Sequence, residues 1–266
     1  MFATTLPLAH DSKKYRALTQ CDMICRTSES SSVYQTPREN AILNNLEALK
    51  LVETTFTEIL NADKVSDLQK ILTSDSLLEK WQMDRNKYPE LQLKLTDHDI
   101  SSLMTKVGND LRLHADLSAK LETPLEKLLY ALVWKNGDLQ KVAHIIKGAA
   151  DVRPTSLTNG PGQVFRQFGR HLADRSESIV DQHVLRAFEL YEQINAPDFS
   201  KIKTIRKKIN WDKDVACIER YKRWLCEHFK ERQDADPGFV VNIDMALFAL
   251  GRAVKITSKR GNGEEA

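Results

Sequence analysis

The chain has 266 residues, 41% hydrophobic and 29% charged, with a net charge of +2. A chain this long buries roughly 70–75% of the surface it exposes when unfolded, which is enough for one or two globular domains. With only 10 Gly and 8 Pro it is not collagenous, low-complexity or a turn-rich all-β chain, and no apolar run nears the ~20 residues of a membrane span, so no membrane partner is expected.

Residues 1–38 read as a flexible leader, with Ser28-Glu29-Ser30-Ser31-Ser32 and no sustained period. Leu6-Pro7-Leu8 is too short for a secretory signal. Helical spacing starts near Glu39, where Leu43, Leu46, Leu49, Val52, Phe56 and Ile59 recur at three- and four-residue steps. Short helices are expected at 65–73 and 75–86, the second ending before Tyr88-Pro89. Thr96 with Asp99 marks a helix start that carries Ile100, Leu103, Met104, Val107 and Leu111.

Thr123-Pro124-Leu125-Glu126 is a capping box with Pro at the first helical position, and the helix stops at Asn136-Gly137. Asp138 can cap the next helix, which should stop at Gly148. A linker follows over 149–162, then a helix from Gln163 to about Ala173 and another from Gln182 to about Tyr191. Two longer helices are expected at 212–232 and 240–256, and the tail 257–266 reads as flexible. The class is all-α.

Two segments carry the chemistry. Thr158-Asn159-Gly160-Pro161-Gly162-Gln163 is a glycine hairpin feeding a helix, whose free N–H groups suit a phosphate. Eighteen residues after Gln163 stands Asp181, within Ile179-Val180-Asp181-Gln182-His183-Val184-Leu185-Arg186. Asp181 also reads as a plain helix cap, and His183 as a helix-face histidine with a local hydrogen bond.

This hairpin, helix and Val-Asp-x-His-Val-x-Arg order resembles the helix-hairpin-helix superfamily of DNA glycosylases, which includes the 8-oxoguanine and endonuclease III-type enzymes. The resemblance is sharp over 160–191 and looser over 123–256, where Ile243-Asp244-Met245-Ala246-Leu247 through Gly251 is similar to the family's last core helix. It implies a two-lobed helical fold, with a cleft lined by 160–166 and 179–186. It also implies hydrolysis of the N-glycosidic bond of a modified or damaged base, with Asp181 as the catalytic carboxylate. The domains are then the leader, an N-terminal helical region over 39–122, the glycosylase-like region over 123–256, and the tail.

The chain departs from the family at the nucleophile. Gln163 stands where bifunctional members carry the Schiff-base Lys, and an amide cannot form an imine. Lys147, 34 residues before Asp181, is the alternative nucleophile, because archaeal members space the two more widely. The cluster cysteines of endonuclease III are absent, so neither a metal nor another cofactor is expected.

A flipped base needs a flat apolar pocket, for which Trp134 and Phe165 lead a set that includes Phe168, Trp211 and Phe248. Each of these also reads as core. For phosphate contact the sequence offers Gly160, Gly162, Arg166, Arg170, Arg175 and Arg186. It also offers the run of Lys201, Lys203, Arg206, Lys207 and Lys208, in which Lys203, Lys207 and Lys208 are the leading candidates. The same run reads equally as a solvated linker.

Residues 1–120 hold 15 basic and 17 acidic side chains, and residues 121–266 hold 24 and 20, a mild basic bias that permits a polyanion. Cys21, Cys25, Cys217 and Cys226 form no CxxC pair, which suits free thiols and a cytoplasmic or nucleoid-associated protein. The expected partner is DNA, with RNA or a nucleotide as alternatives. A nucleic-acid-binding protein without catalysis, or an all-α protein-interaction module, is the competing reading.

Overall fold

The computed structural model describes residues 43–256 except 85, 90, 152–159, 212 and 213. The leader, the tail, Cys21, Cys25, Thr158 and Asn159 lie outside the described residues. Among those described there are eleven α-helices and no strand; Val107 and Leu113 form an isolated antiparallel bridge. The all-α expectation holds.

Helix α1 (Asn45–Asn61) is closed by a capping box between Asn44 and Glu47, and it buries Leu49, Val52, Phe56 and Ile59. Helices α2 (Val65–Ser74) and α3 (Ser76–Trp81) are separated by Asp75, whose Oδ1 accepts the N–H groups of Leu77 and Leu78. The helix expected over 75–86 stops at Trp81. Asp84 Oδ1 takes the Asn86 N–H at 2.9 Å, and this local turn competes with the helix. Helix α4 (Asp97–Met104) has the Thr96–Asp99 capping box but ends before Val107, and Leu111 turns back with φ 58.

The capping box of α5 (Pro124–Lys135) forms as read. Asp138 does not cap α6 (Leu139–Ala150); its carboxylate pairs with Lys141 at 2.5 Å. Gly148 does not end α6 either. It lies inside the contact with α7 (Gln163–Ala173), where a methyl would overlap the Arg166 carbonyl, and Gly169 meets Ile145 in the same way. The pair is therefore packed backbone to backbone.

Helices α8 (Gln182–Tyr191), α10 (Val215–Ala235) and α11 (Gly238–Ala253) follow the expected pattern. Helix α9 (Phe199–Lys207) falls on the basic run and was not expected as a helix; Asp198 caps it, and Ile202, Ile205 and Arg206 are buried.

The main core lies between α8 and α11, with α1, α2, α3 and α10 around them. Phe56 stacks on Tyr191 at 4.0 Å, and Trp224 and Phe188 complete an aromatic centre. Helices α4, α6 and α7 pack together, and the Leu95 N–H bonds the Leu172 carbonyl at 2.8 Å. Arg206 is 1% exposed and ties the start of α1 to the residue after α11, donating to Leu43 O, Asn45 Oδ1 and Val254 O. Cys217 and Cys226 are free thiols.

Candidate functional site

Asp181 sits where an extended segment becomes helix. Its Oδ1 accepts the N–H groups of His183 at 2.7 Å and Val184 at 2.8 Å, as an N-cap should. Its Oδ2 has no hydrogen-bond partner among the described residues, and Asp181 lines a cavity of about 740 Å³. That volume lies within the range of small-molecule sites. Burial raises the Asp181 carboxyl above its ordinary range, opposed by the two cap bonds and by Arg186 and Arg252.

The neighbourhood holds this segment from several sides. Asp244, on α11, takes the Ile179 N–H on Oδ2 at 2.6 Å and the Tyr221 hydroxyl on Oδ1 at 2.6 Å. Gln167 donates to the Ser178 carbonyl at 3.2 Å. Gly251 lies flat against the His183 carbonyl, where any side chain would collide. A carboxylate pinned in this way needs little reorganisation to act on a ligand.

The cavity is mostly apolar, with Phe168, Phe248, Val184, Val241 and Met245 in its walls and Asp181 and Asp244 as its carboxyls. The loop after α3 supplies Met83, Lys87, Tyr88, Pro89, Leu91 and Gln92. Arg175 fastens this loop by donating to the Leu91 carbonyl at 2.5 Å and to the Leu93 carbonyl. Its other arm lies 2.6 Å from His171 Nε2, while His171 Nδ1 lies 2.6 Å from the Glu177 carbonyl. A carbonyl only accepts, so Nδ1 carries the proton and Nε2 accepts from Arg175. Burial lowers the His171 pKa, and Arg175 adds to that.

Of the residues singled out in the sequence, the structure brings Asp181, Phe168 and Phe248 to one cavity. None of residues 160–166 lines it, so the cleft expected from both segments is built from 179–184 and not from the hairpin. Gly162 caps α7 with φ 74 and presses on the His144 ring; Gly162 and Gln163 are buried, Gly160 is half-buried and Pro161 is exposed. The Gln163 amide donates to the Gly160 carbonyl at 3.0 Å, closing the turn. Lys147 pairs with Asp151 at 3.2 Å.

Trp134 is 65% exposed on α5, and Phe165 lies beneath the Lys141 ammonium at 5.4 Å; neither lines the cavity. Trp211 is core.

The cations divide. Arg166, Arg170 and Arg186 are buried, a position that does not suit phosphate contact. Arg170 donates to Gln167 Oε1, and Arg186 donates to the carbonyls of Lys208 and Gly251. Lys208 pairs with Asp214 at 2.9 Å and covers Trp211. Lys201, Lys203 and Lys207 are exposed on α9.

Sequence reasoning passed over Arg252 and Lys255 at the end of α11, because their role depends on α8 lying alongside. Burial, then Arg186 and Lys255, push the His183 imidazole down to about 3, and its Nδ1 accepts from Arg186 at 2.9 Å. His171 and Asp244 were also missed as site residues, because an Asp inside an apolar helix reads as part of that helix and carries no signal of its own; Arg175, read as a phosphate contact, instead fastens the loop. Among the described residues no group of three or more His, Cys, Asp or Glu is arranged to hold a metal ion. No family model, curated protein or solved structure matches the chain.

Proposed function

We propose that the chain is a two-lobed, helix-hairpin-helix glycosylase-like protein that binds DNA and hydrolyses the N-glycosidic bond of a modified or damaged base. The observation that carries this reading is Asp181: one oxygen caps α8, and the other is left over at a cavity with aromatic walls. In this reading α4–α7 form one lobe, and α1–α3 with α8–α11 form the other. The target base leaves the stack and enters between Phe168 and Phe248.

As the bond from C1′ to the base breaks, the base takes the electron pair and a proton from solvent. The sugar becomes cationic, and the Asp181 carboxylate stabilises it. Water then adds at C1′ and releases its proton. Gln163 cannot form an imine, and Lys147 faces Asp151 rather than the cavity, so the reaction is hydrolysis without strand cleavage. Lys87 at the cavity, Arg252 and Lys255 beside α8, and Lys201, Lys203 and Lys207 on α9 are the cations available to phosphates.

The experiment is a panel of duplex and single-stranded oligonucleotides bearing modified bases, treated with alkali after incubation. Alkali-dependent cleavage at one modified base, with no protein–DNA adduct trapped by borohydride, is the expected result. No cleavage across the panel speaks against the reading, and a trapped adduct lost in Lys147→Ala reassigns the nucleophile.

One observation favours a second reading, a helical protein-interaction module. Helix α5 buries none of its residues and leaves Leu125, Leu128, Leu129 and Leu132 each more than half exposed on one face.

A further inference from the structure

Two half-buried cations stand together at the end of α11. Arg252 lies in its last turn, and Lys255 follows just beyond the helix. The side chain of neither forms a hydrogen bond or an ion pair among the described residues. Half-buried cations elsewhere in the molecule have partners. Arg175, Arg220 and Arg232 each donate to a carbonyl or a carboxylate, and Lys208 and Lys222 pair with Asp214 and Glu177. Charge drawn out of water without a partner is costly, so the exception at α11 needs a cause.

The surroundings hold Arg252 without using its N–H groups. Its guanidinium lies 4.7 Å from the centre of the Trp81 ring and 5.5 Å from that of Phe248. These cation–π contacts leave the five N–H donors available to an outside acceptor. The neighbouring charges are mostly of one sign. Arg186 and Arg252 repel Lys255 and, with its partial burial, lower its pKa. His183 feels the same three cations; its Nδ1 accepts from Arg186 at 2.9 Å, which leaves the ring proton on Nε2. The opposing charge is Asp181, which attracts Arg186 and Arg252. The dipole of α11 favours a cation at this end, but it does not account for three gathered on two helices.

Phe248 joins this cluster to the cavity. The same ring carries Arg252, meets His183 edge-on at 5.1 Å and lines the cavity together with Asp181. We propose that Arg252 and Lys255 form a phosphate site at the edge of the cavity, which holds a phosphodiester of the strand whose base occupies the cavity. This rests on the base-pocket reading of the cavity. The guanidinium offers paired donors to two phosphate oxygens, and the ammonium adds a point charge.

The test uses the full chain labelled with ¹⁵N-arginine, the Arg252 Nε–H signal assigned by its loss in both Arg252→Gln and Arg252→Lys. Inorganic phosphate, added at constant ionic strength against chloride, is expected to move that signal saturably, and Lys255→Gln weakens this binding roughly tenfold. The second probe is a single-stranded oligothymidylate. Arg252→Gln and Lys255→Gln should each flatten the salt dependence of its affinity by about 0.7, the value of one lost contact on a single strand. Lys135→Gln, an exposed change on α5, should leave both readouts as in wild type.

An Arg252 signal that phosphate does not move overturns the proposal. So does a salt slope unchanged in both variants. Phosphate binding without oligonucleotide binding overturns the strand assignment and leaves a site for the free ion. Inorganic phosphate carries no base, and the oligothymidylate no modified one, so failure of the modified-base panel leaves both measurements standing.

Discussion

His183 and Asp244 are displaced in opposite directions from their ordinary titration ranges, and stability depends on them with opposite signs. The folded His183 takes its proton only near pH 3, whereas the unfolded chain takes it near 6.5. Its contribution is therefore full above about 6.5 and is lost as pH falls. The folded Asp244 keeps its proton to about 8, whereas the unfolded chain releases it near 3.8, so its contribution is full at low pH and is lost as pH rises to 8. Between about pH 6.5 and 8 only the Asp244 effect of these two remains. Urea unfolding should show stability falling there, by up to about 1.4 kcal/mol per pH unit, and Asp244→Asn should flatten the slope. An undiminished slope in the variant means that another group is its source. At this scale the sequence displayed Asp181 well, because a cap needs only its neighbours. Arg186 was misread as a phosphate ligand because its acceptors, the carbonyls of Lys208 and Gly251, lie 22 and 65 residues away.

Among the elements, capping chemistry was legible in the boxes of α4 and α5, whereas Asp138, also read as a cap, pairs with Lys141 instead. Helix α9 was not, because five cations in eight residues hide an apolar face of only Ile202 and Ile205. The exposed lysines of α9 give a test. Changing Lys201, Lys203 and Lys207 together to Ala should leave stability within about 0.5 kcal/mol. It should also flatten the salt dependence of DNA affinity by about 0.9 per lost contact on duplex. An unchanged slope removes α9 from the interface. Helix α5 shows the reverse case, in which apolar spacing reads as a buried face but the leucines remain exposed. Leu128→Gln with Leu132→Gln should cost less than about 1 kcal/mol in chemical denaturation, against about 2–5 kcal/mol for Leu185→Ala in the core. A large loss from the α5 pair would mean that the helix is packed.

At the scale of the described residues, the Asp181 carboxylate at the start of α8 lines a cavity whose other walls are α11, the end of α7 and the Arg175-fastened loop. The all-helical class followed from composition and period. The cavity did not, because its walls come from four separate stretches of chain that only the α8–α11 packing brings together, and the hairpin expected to line it turns inward on α6. The central claim is that Asp181 works on a sugar as well as capping a helix, and Asp181→Asn separates the two roles because Asn caps about as well as Asp. The measurement is single-turnover cleavage by wild type and Asp181→Asn on the base selected by the oligonucleotide panel, alongside urea unfolding of both proteins. The account predicts stability within about 1 kcal/mol and turnover reduced by roughly 10²-fold or more, with DNA binding retained. Equal turnover of the two proteins would contradict it and leave Asp181 as a helix cap alone.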